Sequence, residues 1–302
     1  MSEEVPFDRE APVAGRLDLV SPLVRRLVAD NGGPFTFTGT CTYVVGRGRV
    51  AVIDPGPADP AHLAALLAAL DGETVEEILL THTHRDHADG VAALAAATGA
   101  RITGCGPHRS ARPLGLDERN LLDASADRDH VPDLEMRDGD VLTGPGWTLE
   151  AIAVPGHTAN HLAFALREEG TLFSGDHVMA WSTSIVAPPD GSMGDYMASL
   201  QKIGAREEGL YRPGHGGPVR EPARFVRALI HHRRQREASI MTRLEKGDET
   251  IPAIVKTVYR GLAPALEGAA GLSVFAHLED LVARGLAATE GAPRLDGRFR
   301  PR

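Results

Sequence analysis

A chain of 302 residues is long enough for a full hydrophobic core plus a second, smaller unit, and its only two cysteines, Cys41 and Cys105, exclude a disulfide framework and point to a reducing cytoplasm. Net charge is −9 but uneven: residues 231–302 carry 12 basic and 9 acidic side chains, a net +3, while the first 230 carry 20 and 32, a net −12. So acidic a body excludes capture of nucleic acid by the overall field and leaves only the tail to touch phosphates.

The opening MSEEVPFDREAP is acidic with no apolar run behind it, and reads as neither a secretion signal nor a transit peptide. No run of about 18 apolar residues follows anywhere, so no membrane span is expected. From about residue 35, TFTGTCTYVVG and RVAVIDPG read as neighbouring strands joined at a Gly-Arg-Gly turn. DPAHLAALLAAL predicts a helix capped by Asp59 and stopped near Gly72. EEILLTH is a buried strand, DHADGVAALAAATG a second helix ending at Gly99, and RITGC a short strand. Residues 106–133 are rich in charge and proline. DVLTGPGWTLEAIAVPG, HLAFALREEGTLFSGD and GLYRPGHG then each place strand residues just before a polar loop. After residue 221 the pattern turns helical: EPARFVRALIHHRRQREASIMTRLEKG, TIPAIVKTVYRGL and SVFAHLEDLVARG. LAATEGAPRLDGRFR closes the chain as two strand fragments around a turn. Three helices and a hairpin are the layout of a winged helix. The mixed strands and helices before them predict sheets sandwiched between helices, with the strand ends on one edge.

The chemistry lies at those strand ends. Thr81-His82-Thr83-His84-Arg85-Asp86-His87 follows a buried strand and opens a helix. Residues two apart in extended chain point the same way, so His82 and His84 can share one metal. The turn into the helix presents Asp86 and His87 to a second. Pro155-Gly156-His157, Ser174-Gly175-Asp176 and Pro213-Gly214-His215 add one ligand type each beside a glycine that permits a tight turn. Imidazole and carboxylate suit zinc, and also manganese or iron. Seven protein ligands for two ions leave room for a bridging hydroxide that attacks a carbonyl carbon or a phosphorus. A closed structural zinc site would use four ligands, usually with cysteine. Neither cysteine lies in a ligand motif.

This pattern resembles the metallo-β-lactamase superfamily, whose signature is T-H-x-H-x-D-H followed by separate His, Asp and His positions. The resemblance covers roughly residues 20–220. It implies an αβ/βα four-layer sandwich over residues 1–230, with a winged-helix-like domain over 231–302. It further implies that His82, His84 and His157 bind one metal, that Asp86, His87 and His215 bind the other, and that Asp176 bridges them. Asp54 matches the family's early Asp and is expected to support a ligand histidine from behind. A bridging carboxylate resembles thioesterase and nuclease branches rather than true β-lactamases.

Three segments resemble the β-lactamase-like protein 2 group in particular: HTANH, with His161 four residues after His157; DYMASL, residues 195–200; and HRRQRE, residues 232–237. Cys41 stands where that group usually has Asn. Members act as single-strand-preferring endoribonucleases or as small-molecule thioesterases. The first role would use Arg233, Arg234 and Arg236 to hold phosphates. The second would use an apolar pocket walled by Trp181, Met193 and Tyr196. The expectation is a di-zinc hydrolase of an ester-like bond (thioester, ester or phosphodiester), with Asp86 and Tyr196 as catalytic residues. His161 either packs behind the site or touches substrate. The alternatives are a mono-iron glutathione-persulfide dioxygenase and a nucleic-acid-binding regulator with a remnant metal domain. A homodimer is compatible with the helical tail.

Overall fold

The structure, a computed structural model, describes residues 4–115, 118, 120–121 and 125–302. Part of the charge-rich segment 106–133 therefore lies outside the described residues. The first sheet runs in chain order from β1 (Leu17–Leu19) through β2 (Val24–Val28), β3 (Cys41–Arg47), β4 (Arg49–Ile53), β5 (Thr74–Leu80) and β6 (Arg101–Gly104) to β7 (Leu134–Glu135). The second holds β8 (Val141–Gly144), β9 (Trp147–Ala153), β10 (Leu162–Leu166), β11 (Thr171–Gly175) and β12 (Leu210–Pro213), with β12 at one edge and β8 at the other.

Two observations make this a four-layer sandwich. Along β10, Leu162, Phe164 and Leu166 point into the core between the sheets, while Ala163 and Ala165 point the other way. All five are buried, so both faces of the strand are covered. The outer face of the first sheet is covered by α1 (Pro60–Ala69) and α3 (Val91–Thr98), through Leu66, Val91 and Leu94. The outer face of the second is covered by α4 (Met193–Gly204) and the front half of α5 (Pro222–Glu245), through Tyr196, Leu200, Phe225 and Leu229. Burying a phenylalanine as completely as Phe164 contributes about 2–3 kcal/mol.

Local chemistry explains most boundaries. Asp59 caps α1 by accepting from the Ala61 backbone amide, and Ser192 caps α4 in the same way from Asp195. Gly99 ends α3 in the left-handed conformation. The helix expected over residues 86–99 is instead two: α2 (Arg85–Ala88) and α3. The Gly90 amide donates to Gly56 O at 2.9 Å rather than continuing the helix, and a Cβ there would sit 2.9 Å from that oxygen. Strands β1 and β2 were not expected at all. In β2, Arg25 pairs with Glu73 at 2.6 Å and Arg26 with Asp18 at 3.2 Å, so two cations interrupt the apolar run of a buried strand.

The C-terminal core gathers Ile240 and Leu244 of α5, Ile254 of α6 (Ile251–Val258), Phe275 and Leu278 of α7 (Glu267–Ala283), and Phe299 of the hairpin β13 (Ala287–Thr289)/β14 (Phe299–Pro301). This is the winged-helix arrangement expected. Helix α5 serves both cores, its first turns one and its last turns the other. Among the described residues no helix is long and apolar enough to cross a membrane.

Candidate metal centre

Strands β4 and β5 of the first sheet and β9, β11 and β12 of the second all end towards one edge of the sandwich. The loops after them carry Asp54, the 82–87 segment, His157, Asp176 and His215. Carboxyl ends of strands are where such sheets place their ligand sites. The sheets are joined there by the Cys41 amide donating to Gly214 O at 2.7 Å, and by Tyr43 Oη donating to Pro213 O at 2.8 Å.

The seven expected ligand residues gather into two groups: His82, His84, His157 and Asp176; and Asp86, His87 and His215. Within each, one ligand atom per residue lies within 4.8 Å of all the others. Asp176 faces both: Oδ2 is 3.7 Å from His157 Nε2, Oδ1 is 3.5 Å from His87 Nε2, and Oδ2 is 3.3 Å from His215 Nε2. Gly214 makes this approach possible, because a Cβ would sit 2.5 Å from Asp176 Oδ1 and 2.6 Å from the His87 ring.

Hydrogen bonds on the far side of four of the five ligand rings, all but His84, assign their lone pairs. Thr81 Oγ1 donates to Asp54 Oδ2 at 2.8 Å, so it accepts from His82 Nδ1 at 3.0 Å and leaves the lone pair on His82 Nε2. His157 Nδ1 donates to Ile185 O at 2.6 Å, and His157 Nε2 is left facing inward. Both of these nitrogens lie against His84 Nδ1, at 3.0 Å and 2.9 Å. In the second group His87 Nδ1 donates to Asp54 Oδ2 at 2.9 Å and His215 Nδ1 to Gly39 O at 3.2 Å, which turns both Nε2 atoms inward. Asp54 thus supports His87 directly and His82 through Thr81. It holds a left-handed backbone (φ +51°), which an Asp tolerates better than most residues.

The electrostatics of the two groups differ. Burial, with His157 beside it, holds His84 down at about 3. Burial and the neighbouring His87 and His84 hold His82 well below the ordinary range. Burial also lowers His157, against the pull of Asp176. In the second group burial opposes charge on His87, yet Asp86, Asp176 and Asp54 outweigh it and raise the ring to about 9. His215 is raised well above its usual value in the same way, against burial, by Asp176 and Asp86. Asp86 and Asp176 resist burial and stay below the carboxylate range because of His87 and His215.

These residues fit divalent cations. Imidazole lone pairs converge, two carboxylates sit among them, and Asp176 Oδ1 is buried with no hydrogen-bond partner among the described residues. Such a set supports hydrolysis: it can activate water and stabilise charge on a carbonyl or phosphoryl oxygen.

Other expected residues lie elsewhere. Tyr196 is fully buried and its hydroxyl donates to His177 O at 3.1 Å, so it does not present a proton to the metal edge. Met193 is 2% exposed and lines no open wall, whereas Trp181 is partly exposed and stacks on Phe37 at 5.0 Å. His161 packs behind the site: it accepts from the Asp176 amide at 3.1 Å and stacks on His82. Arg233 is 3% exposed, Arg236 donates to Val258 O at 3.0 Å over the Tyr259 ring, and Arg234 is exposed. Cys41 and Cys105 are buried free thiols outside both groups. Thr40, whose hydroxyl donates to Asp86 Oδ2 at 2.9 Å, was missed, and nothing in GTCTYVV signals it. So were Gly39 and Ile185, which act through carbonyls that any residue carries.

A four-layer sandwich with two His/Asp ligand groups at its strand ends defines a metal-dependent hydrolase. The chain belongs to the metallo-β-lactamase superfamily, whose model matches residues 35–215, and the β-lactamase associated winged helix domain matches residues 250–297. It is 33% identical over 237 residues to a β-lactamase-like protein 2 homolog of Caenorhabditis elegans, covering 77% of this chain and 75% of the relative. It is 30% identical over 243 residues to an atrochrysone carboxyl ACP thioesterase of Aspergillus fumigatus, covering 78% and 70%. A crystal structure of a metallo-β-lactamase family protein from Thermus thermophilus superposes with a TM-score of 0.74 at 25% identity, covering 94% of this chain and all of the other.

Proposed function

We propose that the protein is a two-metal thioesterase, with zinc as the first choice of metal and manganese or iron as the alternatives. His82, His84 and His157 would hold one ion, Asp86, His87 and His215 the other, and Asp176 both. Bound there, two divalent cations supply a water acidified towards neutral pH and a positive field for the oxygen on which charge develops. The chain's own contribution is orientation. Ile185 O, Gly39 O and Asp54 turn His157, His215 and His87 so that their Nε2 atoms face inward. Asp86 has a side chain 28% exposed against 10% for Asp176, and Thr40 donates to its Oδ2, so Asp86 is the more accessible of the two carboxylates and would be the one to take up a proton from an attacking water. Tyr196 holds the Asp176–His177 turn through the His177 carbonyl.

The observation that carries the choice of an acyl substrate is the Phe37–Trp181 stack. It lies against Gly216, one residue past His215, with Trp181 Cδ1 3.0 Å from where a Gly216 Cβ would stand. An apolar ledge beside the ligands suits an acyl chain. The thioester activity in the name of the Aspergillus relative supports the same reading. Single-stranded RNA is the second reading, and exposed Arg234 with the basic tail supports it. A mono-iron persulfide dioxygenase would leave Asp86 and His87 idle, which their close grouping with His215 speaks against. The proposal also places the domain boundary at 230/231, within the stretch of α5 between Leu229, which serves one core, and Ile240, which serves the other. It places the protein in the cytoplasm, in keeping with two free buried thiols.

The test is a parallel assay of zinc- and manganese-loaded protein on acyl-thioesters and on single-stranded RNA. Thioester turnover without RNA cleavage is expected. RNA cleavage alone would replace this reading with the second, and one iron per chain with oxygen uptake would replace both.

A further inference from the structure

We propose that Arg233 on α5 is a positioning residue for the metal edge, acting through the Ser184–Ile185 segment; this rests on the two-metal reading above. The guanidinium is buried, 3% exposed, and Nη2 donates to Ser184 O. Ser184 in turn donates its hydroxyl to the backbone carbonyl of Asp176. The next carbonyl, Ile185 O, accepts from His157 Nδ1 at 2.6 Å. One guanidinium therefore holds the segment that carries hydrogen bonds to two of the seven ligand residues. A shift of that segment moves the Asp176 backbone and rotates the His157 ring together.

A second contact closes the arrangement. The Arg233 guanidinium lies over the Tyr196 ring, 5.1 Å from its centroid, and Tyr196 Oη donates to His177 O at 3.1 Å. Both ends of the 176–185 loop are thus tied to Arg233, one through Ser184 and one through Tyr196. Arginine suits the task because a planar guanidinium can donate in its plane and lie flat on a ring, which an ammonium cannot do at once. The consequence is that a residue of the C-terminal half of the chain sets the geometry of ligands delivered by β9 and β11. Partners that orient metal ligands from behind typically account for 10- to 100-fold in metal affinity.

The experiment titrates metal-free wild-type, R233M, R233K, S184A and R236M proteins with Co2+, reading affinity by chelator competition and the visible spectrum of the bound ion. R233M is expected to weaken cobalt binding by about 10- to 100-fold and to alter the spectrum. R233K should recover part of the affinity, and S184A should mimic a milder R233M. Arg236 serves the C-terminal core through Val258 O, so R236M should lower the unfolding midpoint and leave affinity and spectrum unchanged. Wild-type protein that binds no cobalt overturns the two-metal reading and this inference with it. Wild-type-like affinity and spectrum in R233M overturn this inference alone. Should R233M not fold, R233K and S184A decide, and unchanged cobalt binding in both overturns it.

Discussion

Two regions of this molecule bury histidines densely, and only one of them is built for metal. At the strand-end edge every ligand ring except His84 has its outer nitrogen engaged by Thr81, Ile185, Asp54 or Gly39, so its inner lone pair has a fixed direction. Carboxylates stand among the rings. Near α5 and α7, His177, His232 and His277 are also buried or nearly so, but neither ring nitrogen of His177 or His277 has a partner among the described residues. After burial itself, the groups acting most strongly on His277 are Arg233, Arg236, His232 and Arg284, all basic. Histidine density therefore identifies nothing by itself. Converging lone pairs with anionic neighbours make a cation site, and buried rings among cations make a neutral, acid-sensitive packing layer.

The sharpest way to break that contrast is to remove the anionic partner. D86A should lose the second metal and lower kcat/KM on the order of 10³-fold, since a metal's field is worth several kcal/mol in the transition state. Metal stoichiometry and thioester turnover would check it, and an unchanged metal count would reject the ligand assignment. D54N comes next. It keeps the left-handed backbone but puts an amide where Thr81 and His87 need an acceptor, so metal affinity should fall by about 10- to 100-fold in chelator competition.

The other region predicts a pH effect. Burial, then Arg233, Arg236 and His231, hold His232 at about 4 in the folded chain, against an ordinary 6.5. Between those values the unfolded chain binds the extra proton, so stability is lost as pH falls from 6.5 towards 4 and does not change from this cause above 6.5. Urea midpoints of wild type and H232Q across that window should converge on acidification if His232 is responsible. The smallest effect is expected from Y196F. Leaving His177 O without its donor should cost about 1–3 kcal/mol of stability and, because Tyr196 holds the Asp176–His177 turn, lower kcat by up to about tenfold. A loss of 100-fold or more would restore Tyr196 as a proton donor.

How far the sequence revealed this depends on what carried the signal. Strand ends and ligands were legible because a His or Asp beside glycine after an apolar run is a side-chain pattern. The winged helix was legible because helical spacing is. Strand β2 was not, because Arg25 and Arg26 break its apolar run and are compensated by Glu73 and Asp18, distant in sequence or on another strand. The break at Gly90 depends on the backbone of Gly56, 34 residues earlier. Gly39 and Ile185 act through main-chain oxygens, which leave no trace in residue type. Tyr196 looked catalytic from its place between Asp176 and His215, and only coordinates reveal that its hydroxyl turns inward.

Helix α5 is a single 24-residue rod, about 36 Å long, whose front turns sit on the second sheet and whose rear turns sit in the winged unit. Exchanging winged units between relatives is therefore not a matter of cutting at a linker. A chimaera must keep the rod unbroken and in register, joining the two sequences between Leu229 and Ile240, where its buried residues pass from one core to the other.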